Sequence, residues 1–108
     1  MVYIVSMDTF SALADPTRRH IIEMLASRGQ LSATDISDKF RISPPAISQH
    51  LKVLRQTELV LMEKRAQQRI YQINPLAMHK IEEWAKKMTH LWNERFDRLE
   101  ELLKIEKI

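Results

Sequence analysis

From Pro75 onward the chain carries an apolar repeat about thirty residues long, in which Leu76, Ile81, Trp84, Met88, Leu91, Phe96, Leu99 and Leu102 or Leu103 recur at mostly helical spacing. No other feature constrains the fold as strongly. In a chain of 108 residues the core is small, and the remaining residues are too few to cover so long a helix. Its stripe, with Trp84, Trp92 and Phe96, calls for a second copy of the chain, so a homodimer is expected. Asn74 is the expected cap of this helix and Pro75 its first residue.

The residues before Pro75 divide into shorter pieces. "MDTFSALA" places Phe10 and Leu13 with Ala14 on one side of a helix of about two turns, ended by Asp15-Pro16. Asp15 can cap the next helix, whose stripe is Ile21, Ile22, Leu25 and Ala26, and Gly29, the only glycine, is its natural stop. In "LSATDISDKF", Ser32 and Asp35 have the spacing of a capping box, with Ala33, Ile36 and Phe40 facing inward. "RIS" reads as a three-residue turn into a helix capped by Ser43, a helix-turn-helix arrangement. Val60 to Arg65 and Arg69 to Ile73 then read as two strands of a hairpin joined by "AQQ". The fold class expected is mainly α with one small β-hairpin, in a single domain.

Charge narrows the partners. Residues 41 to 73 hold six Lys/Arg against two Asp/Glu, whereas residues 1 to 40 sum to −1 and residues 74 to 108 to zero. A basic excess confined to the middle third suits a polyanion such as nucleic acid. The absence of cysteine excludes disulfides, thiolate metal sites and a cysteine nucleophile, and nothing requires an oxidising compartment, so a cytoplasmic location is expected. "MVYIVSM" lacks a basic leader and is too short for a signal core, and no apolar run reaches the roughly 18 residues of a membrane span. No Gly-rich phosphate loop, paired catalytic carboxylates or Ser-His-Asp spacing is present, so no enzymatic activity and no cofactor are expected.

The segment "ISPPAISQHLKVLR" concentrates the binding chemistry. With Ile47 at the centre of the inner face and about 100° per residue, Leu51 and Leu54 point inward. Pro45, Gln49 and Lys52 then lie opposite, with Ala46 and Ser48 beside them. The outward face has hydrogen-bonding groups and no acid. Such a face suits a DNA major groove, where Gln and Ser meet base edges and Ala or Pro can touch a thymine methyl. Prolines at the first positions cost no helical hydrogen bond and aim the helix N-terminus toward phosphate.

Together, "FSALADPTRRHIIEML", "LSATDISDKFRISPPAISQHLKVLRQTELV" and "EKRAQQRIYQIN" resemble the ArsR-type winged-helix repressors of bacteria over nearly the whole chain. The resemblance implies a dimeric winged helix-turn-helix of order α-α-α-α-β-β-α that binds double-stranded DNA. The helix 44–55 would enter the major groove, segment 60–73 would form the wing, and helix 75–106 would dimerise. It assigns Ser43, Pro45, Ala46, Ser48, Gln49 and His50 to the groove surface, and Lys52 and Arg55 to phosphates. Lys64, Arg65, Gln67, Gln68 and Arg69 fall in the wing, where Ala66 stands near the place of the usual turn glycine. Arg18 and Arg19 of "DPTRR" read equally as helix-end ion pairs or as phosphate contacts. Phe10, Leu13, Trp84, Met88, Leu91, Trp92, Phe96 and Leu99 form the expected dimer interface.

Metal-sensing members carry Cys-x-Cys near the third helix, where this chain reads Leu31-Ser32-Ala33-Thr34-Asp35, and hydroxyls do not replace thiolates for a soft metal. A second family site pairs Asp-x-His with His-x-x-Glu on the last helix. His79 and His90 keep a spacing of eleven, but Ala77 and Asn93 stand where carboxylates are wanted and Glu94 comes one residue late. The expectation is therefore a member of the subgroup without the usual metal sites, its effector unidentified. The competing reading is a winged-helix protein-interaction module that recruits a partner through the last helix.

Overall fold

Side-chain caps determine where the helices begin. In the computed structural model, which describes residues 8–106, Asp8 accepts the Ser11 N–H at 2.7 Å and opens α1 (Thr9–Ala14). Asp15 accepts the Arg18 N–H at 2.9 Å and opens α2 (Pro16–Arg28). Ser32 and Asp35 close a reciprocal capping box at the start of α3 (Ala33–Ser37), so the buried Ser32 hydroxyl is satisfied. Ser43 accepts the Ala46 N–H at 3.3 Å and opens α4 (Pro44–Gln56), with Pro44 and Pro45 in its first turn. "MVYIVSM" lies outside the described residues.

Between α2 and α3 runs β1 (Gln30–Ser32), a three-residue strand that the local pattern does not announce. It pairs with β3 (Gln68–Ile73), which also pairs with β2 (Val60–Arg65), so the sheet is antiparallel with order β1-β3-β2. The expected hairpin is thus part of a three-stranded sheet. Three residues are too few to show alternation, and their hydrogen bonds come from about forty residues further along the chain. β3 begins one residue earlier than expected, which leaves Ala66-Gln67 as a two-residue turn with Ala66 at φ 53°. That positive φ occupies the first turn position, where hairpins favour glycine.

The connection between α3 and α4 is six residues, not the three of "RIS", because α3 tightens after Ser37. Lys39 donates to the Ile36 carbonyl and Phe40 to that of Ser37, i to i+3 bonds that close the helix in a narrower turn. Phe40 ends half-buried, with its ring edge-on to His20 at 5.1 Å.

The core lies among α1 to β3. Ile21, Ile22, Met24 and Leu25 of α2 pack with Ile36, with Ile47, Leu51 and Leu54 of α4, and with Leu59, Val60 and Tyr71. Met24 takes the inward place expected of Ala26, which is exposed. In α1 the fully buried residue is Ala12, while Phe10 is 47% exposed and Leu13 half-buried. A smaller side chain thus takes the buried place in α1, and Phe10 and Leu13 are the residues expected at a dimer interface.

The chain divides after Pro75, and α5 (Pro75–Glu106), from Leu76 onward, lies in the second unit. Its 32 residues rise about 48 Å at 1.5 Å each. On α5, Trp84, Met88, Leu91, Trp92, Phe96 and Leu99 are between 37% and 68% exposed. Lys86 and Glu82 pair at 2.9 Å, and their bond lowers the carboxyl pKa and raises that of the ammonium. No described helix is long and apolar enough to cross a membrane.

Candidate nucleic-acid interface

α4 is amphipathic because its apolar residues recur at four and three. Ile47, Leu51 and Leu54 are almost fully buried, while Pro45, Ser48, Gln49, Lys52, Arg55 and Gln56 stay exposed in rows along the other side. Ala46 is half-buried at the edge, and Ser43 serves as the cap while remaining exposed. The helix has no carboxylate along its length.

Register explains how the wing faces this helix. Val60 pairs with Ile73, Met62 with Tyr71 and Lys64 with Arg69, so these six share one face of the sheet. At its root that face is buried by Val60 and Tyr71. Beyond the core it carries two cations directly opposite each other, an arrangement that costs stability unless an anion lies nearby. Arg69 and Tyr71 meet Ser48, Gln49, Lys52, Arg55 and Gln56 around one open groove of about 550 Å³ whose floor includes Leu51 and Ala33. The second sheet face carries Arg65 and Gln68, and there Arg65 pairs with Glu63 at 3.0 Å. Gln67 is exposed at the turn.

Among the described residues, the side chains of Lys52, Arg55, Lys64 and Arg69 have neither an ion pair nor a hydrogen bond. Four unpaired cations on α4 and the adjoining sheet face, with a helix free of acid, form a surface suited to phosphates flanking a groove.

His50 departs from its expected place. Its imidazole turns away from the outward row toward α2, where Nδ1 lies 3.3 Å from Arg18 Nη1 and 3.8 Å from Asp15 Oδ2. At about 60° from the centre of the inner face it belongs to the edge, and the polar cluster at the α1–α2 corner draws it in. Arg18 also donates through Nε to the Ala12 carbonyl at 2.7 Å and through Nη2 to that of Ser11 at 3.4 Å, closing the last turn of α1. The Arg18 backbone N–H is the main reason the Asp15 carboxyl titrates below its ordinary range. The link to α4 spans 32 residues and has no local signal. Arg19 is exposed.

His79 and His90 each meet a glutamate one turn along α5, Glu83 at 3.9 Å and Glu94 at 3.2 Å. Among the described residues no three His, Asp or Glu side chains gather as a metal site, and the chain has no thiol to offer a soft metal.

Comparison with known proteins gives a consistent result. Residues 15–61 match the family described as "Bacterial regulatory protein, arsR family". The chain is 36% identical over 77 residues to the transcriptional repressor SdpR of Bacillus subtilis, covering 71% of this chain and 84% of that protein. It is 33% identical to the arsenical resistance operon repressor of Escherichia coli over 82% of this chain and 72% of that one. Among solved structures, an ArsR-like transcriptional regulator from Rhodococcus superposes with a TM-score of 0.74 at 25% identity, covering 86% of this chain and 87% of that one.

Proposed function

The chain belongs to the ArsR family and is a DNA-binding transcriptional regulator, and from that premise we propose that it acts in the cytoplasm as a homodimeric repressor of a palindromic operator. Ser48 and Gln49 of α4 read base edges, and Pro45 and Ala46 supply apolar contacts. Lys52 and Arg55 hold the phosphates beside the groove, with Lys64 and Arg69 doing so from the wing. Arg65, Gln67 and Gln68 extend the wing contact toward the backbone or the neighbouring minor groove.

The observation that carries this reading is the set of unpaired cations on the shared side of α4 and the sheet, beside a helix without acid. A surface that only kept the protein in solution would gain from interleaved carboxylates. The exposed apolar row of α5, with Trp92 its most exposed aromatic, and the exposed Phe10 of α1 support a second copy of the chain as their cover.

Selection of bound duplexes from a random pool, followed by a salt titration of the best binder, tests the proposal. The expected outcome is a two-fold symmetric motif with half-sites about ten base pairs apart and affinity that falls steeply with salt. Arg69→Ala should weaken cognate and unrelated duplexes alike and reduce the salt slope by about one. No enrichment, with no binding even at low salt, would overturn it in favour of a protein partner on α5.

A further inference from the structure

We propose that Arg18 and His50 are positioning residues that set the rotation of α4 about its own axis, and through it which base edges Gln49 and Ser48 meet. The inference rests on α4 being the reading helix. The residues that bury α4, Ile47, Leu51 and Leu54, are apolar, and non-directional apolar burial sets which face points inward but limits small rotations less tightly than a hydrogen bond does. Roll matters at the outer face. With a radius of about 5–6 Å to the side-chain tips, a rotation of about 20° carries a tip sideways by about 2 Å. That exceeds the roughly half-ångström window of a good hydrogen bond.

A directional contact is needed, and the 3.3 Å bond between Arg18 Nη1 and His50 Nδ1 supplies one at the edge of α4. Arginine has donors only, so in this contact Nδ1 serves as the acceptor and Arg18 as the donor. Residue 49, the candidate base reader, is the immediate neighbour of this anchored side chain.

The anchor is itself held. Arg18 is fixed by the Ala12 and Ser11 carbonyls and, through its backbone, by Asp15. A planar guanidinium bonded through Nε and both terminal nitrogens has little freedom to turn, which a lysine ammonium on a flexible stem would regain. The charged groups facing His50 are Asp15 and Arg18, both from the α1–α2 corner. The same guanidinium therefore ties the end of α1 to the flank of α4.

The test uses the full chain with Arg18→Lys, His50→Leu and His50→Asn, measuring affinity for the selected cognate duplex and for a scrambled one, with thermal unfolding in parallel. Asparagine keeps an acceptor near the position of Nδ1, whereas leucine fills similar space without one. Arg18→Lys and His50→Leu should lower the cognate-to-scrambled affinity ratio about tenfold while scrambled binding stays within about twofold. His50→Asn should keep most of the wild-type ratio. Wild-type ratios in the two damaging variants, or equal loss in His50→Asn and His50→Leu, would overturn the positioning role. If Arg18→Lys does not fold, the His50 pair still decides. Failure of the wild-type chain to discriminate at all would instead remove the premise that α4 reads bases.

Discussion

α2 and α4 are both thirteen residues long, and both open with a side-chain cap followed by proline, yet they leave their outer faces in different states. α2 carries Glu23 among its arginines and folds Arg18 back onto α1 and His50. α4 leaves Lys52 and Arg55 without partners and has no acid. The lesson is that helix-forming signals say nothing of purpose. Purpose shows in which polar groups the fold leaves unsatisfied.

If that contrast is right, the inner faces must be alike. Leu25→Ala and Leu51→Ala, at positions 1% and 2% exposed, should each cost about 2–5 kcal/mol in chemical denaturation. A much smaller loss at Leu51 would mean α4 is loosely docked, and the positioning argument would lose its footing. The outer faces should then separate the helices. Gln49→Ala should cost about 1–3 kcal/mol on a cognate duplex with stability and non-specific binding nearly unchanged. Glu23→Ala, exposed on α2, should leave the affinity ratio of cognate to unrelated DNA unaltered.

The caps sharpen the comparison by pH. Ser43 caps α4 with a hydroxyl, so Ser43→Ala should lower stability by about 1 kcal/mol at every pH. Asp15 caps α2 with a carboxylate whose pKa is lowered in the fold, chiefly by the Arg18 N–H. A lowered folded pKa means its contribution is complete above the ordinary aspartate value and is lost as pH falls through the folded one. Asp15→Ala should therefore cost about 1 kcal/mol at neutral pH, and the gap to wild type should narrow in acid. A gap constant with pH would show that the carboxylate charge contributes nothing at that corner.

How far these features could be read in advance follows from the distance over which each is encoded. Asp15-Pro16, Ser32 with Asp35, and Ser43-Pro44-Pro45 act within three or four residues, so the starts of α2, α3 and α4 were legible. The outward row Pro45, Ser48, Gln49, Lys52 and Arg55 was legible for the same reason. β1 was not, since its register is supplied by Ile70 to Gln72. Nor was the inward turn of His50, which depends on Arg18 some 32 residues earlier. Ala12 took the buried place in α1, where a close helix contact favours a small side chain and the sequence pattern gives no sign of it.

The ends of the two helices differ as instructively as their faces. α2 stops at Gly29, at φ 86°, where a residue without Cβ adopts the left-handed region freely. α4 ends without glycine: Glu58 sits at φ 61°, Leu59 donates to the Leu54 carbonyl at 3.0 Å and Glu58 to that of Arg55 at 3.0 Å. These bonds form a Schellman motif, closed by the buried pair Leu54 and Leu59. Asn74 reinforces it by donating through Nδ2 to the Glu58 carbonyl at 2.9 Å. Neighbouring bonds thus hold Glu58 in a conformation its side chain disfavours. Glu58→Gly should raise stability by about 0.5–1 kcal/mol, the relieved strain exceeding the entropy gained by the unfolded chain. Gly29→Ala, where an added Cβ meets nothing within 4 Å, should lower it by about 1 kcal/mol through backbone strain alone. Opposite signs in thermal unfolding would confirm that a positive φ is what both helix ends share. A loss of stability in Glu58→Gly would show that the glutamate side chain, and not the turn geometry, holds the end of α4.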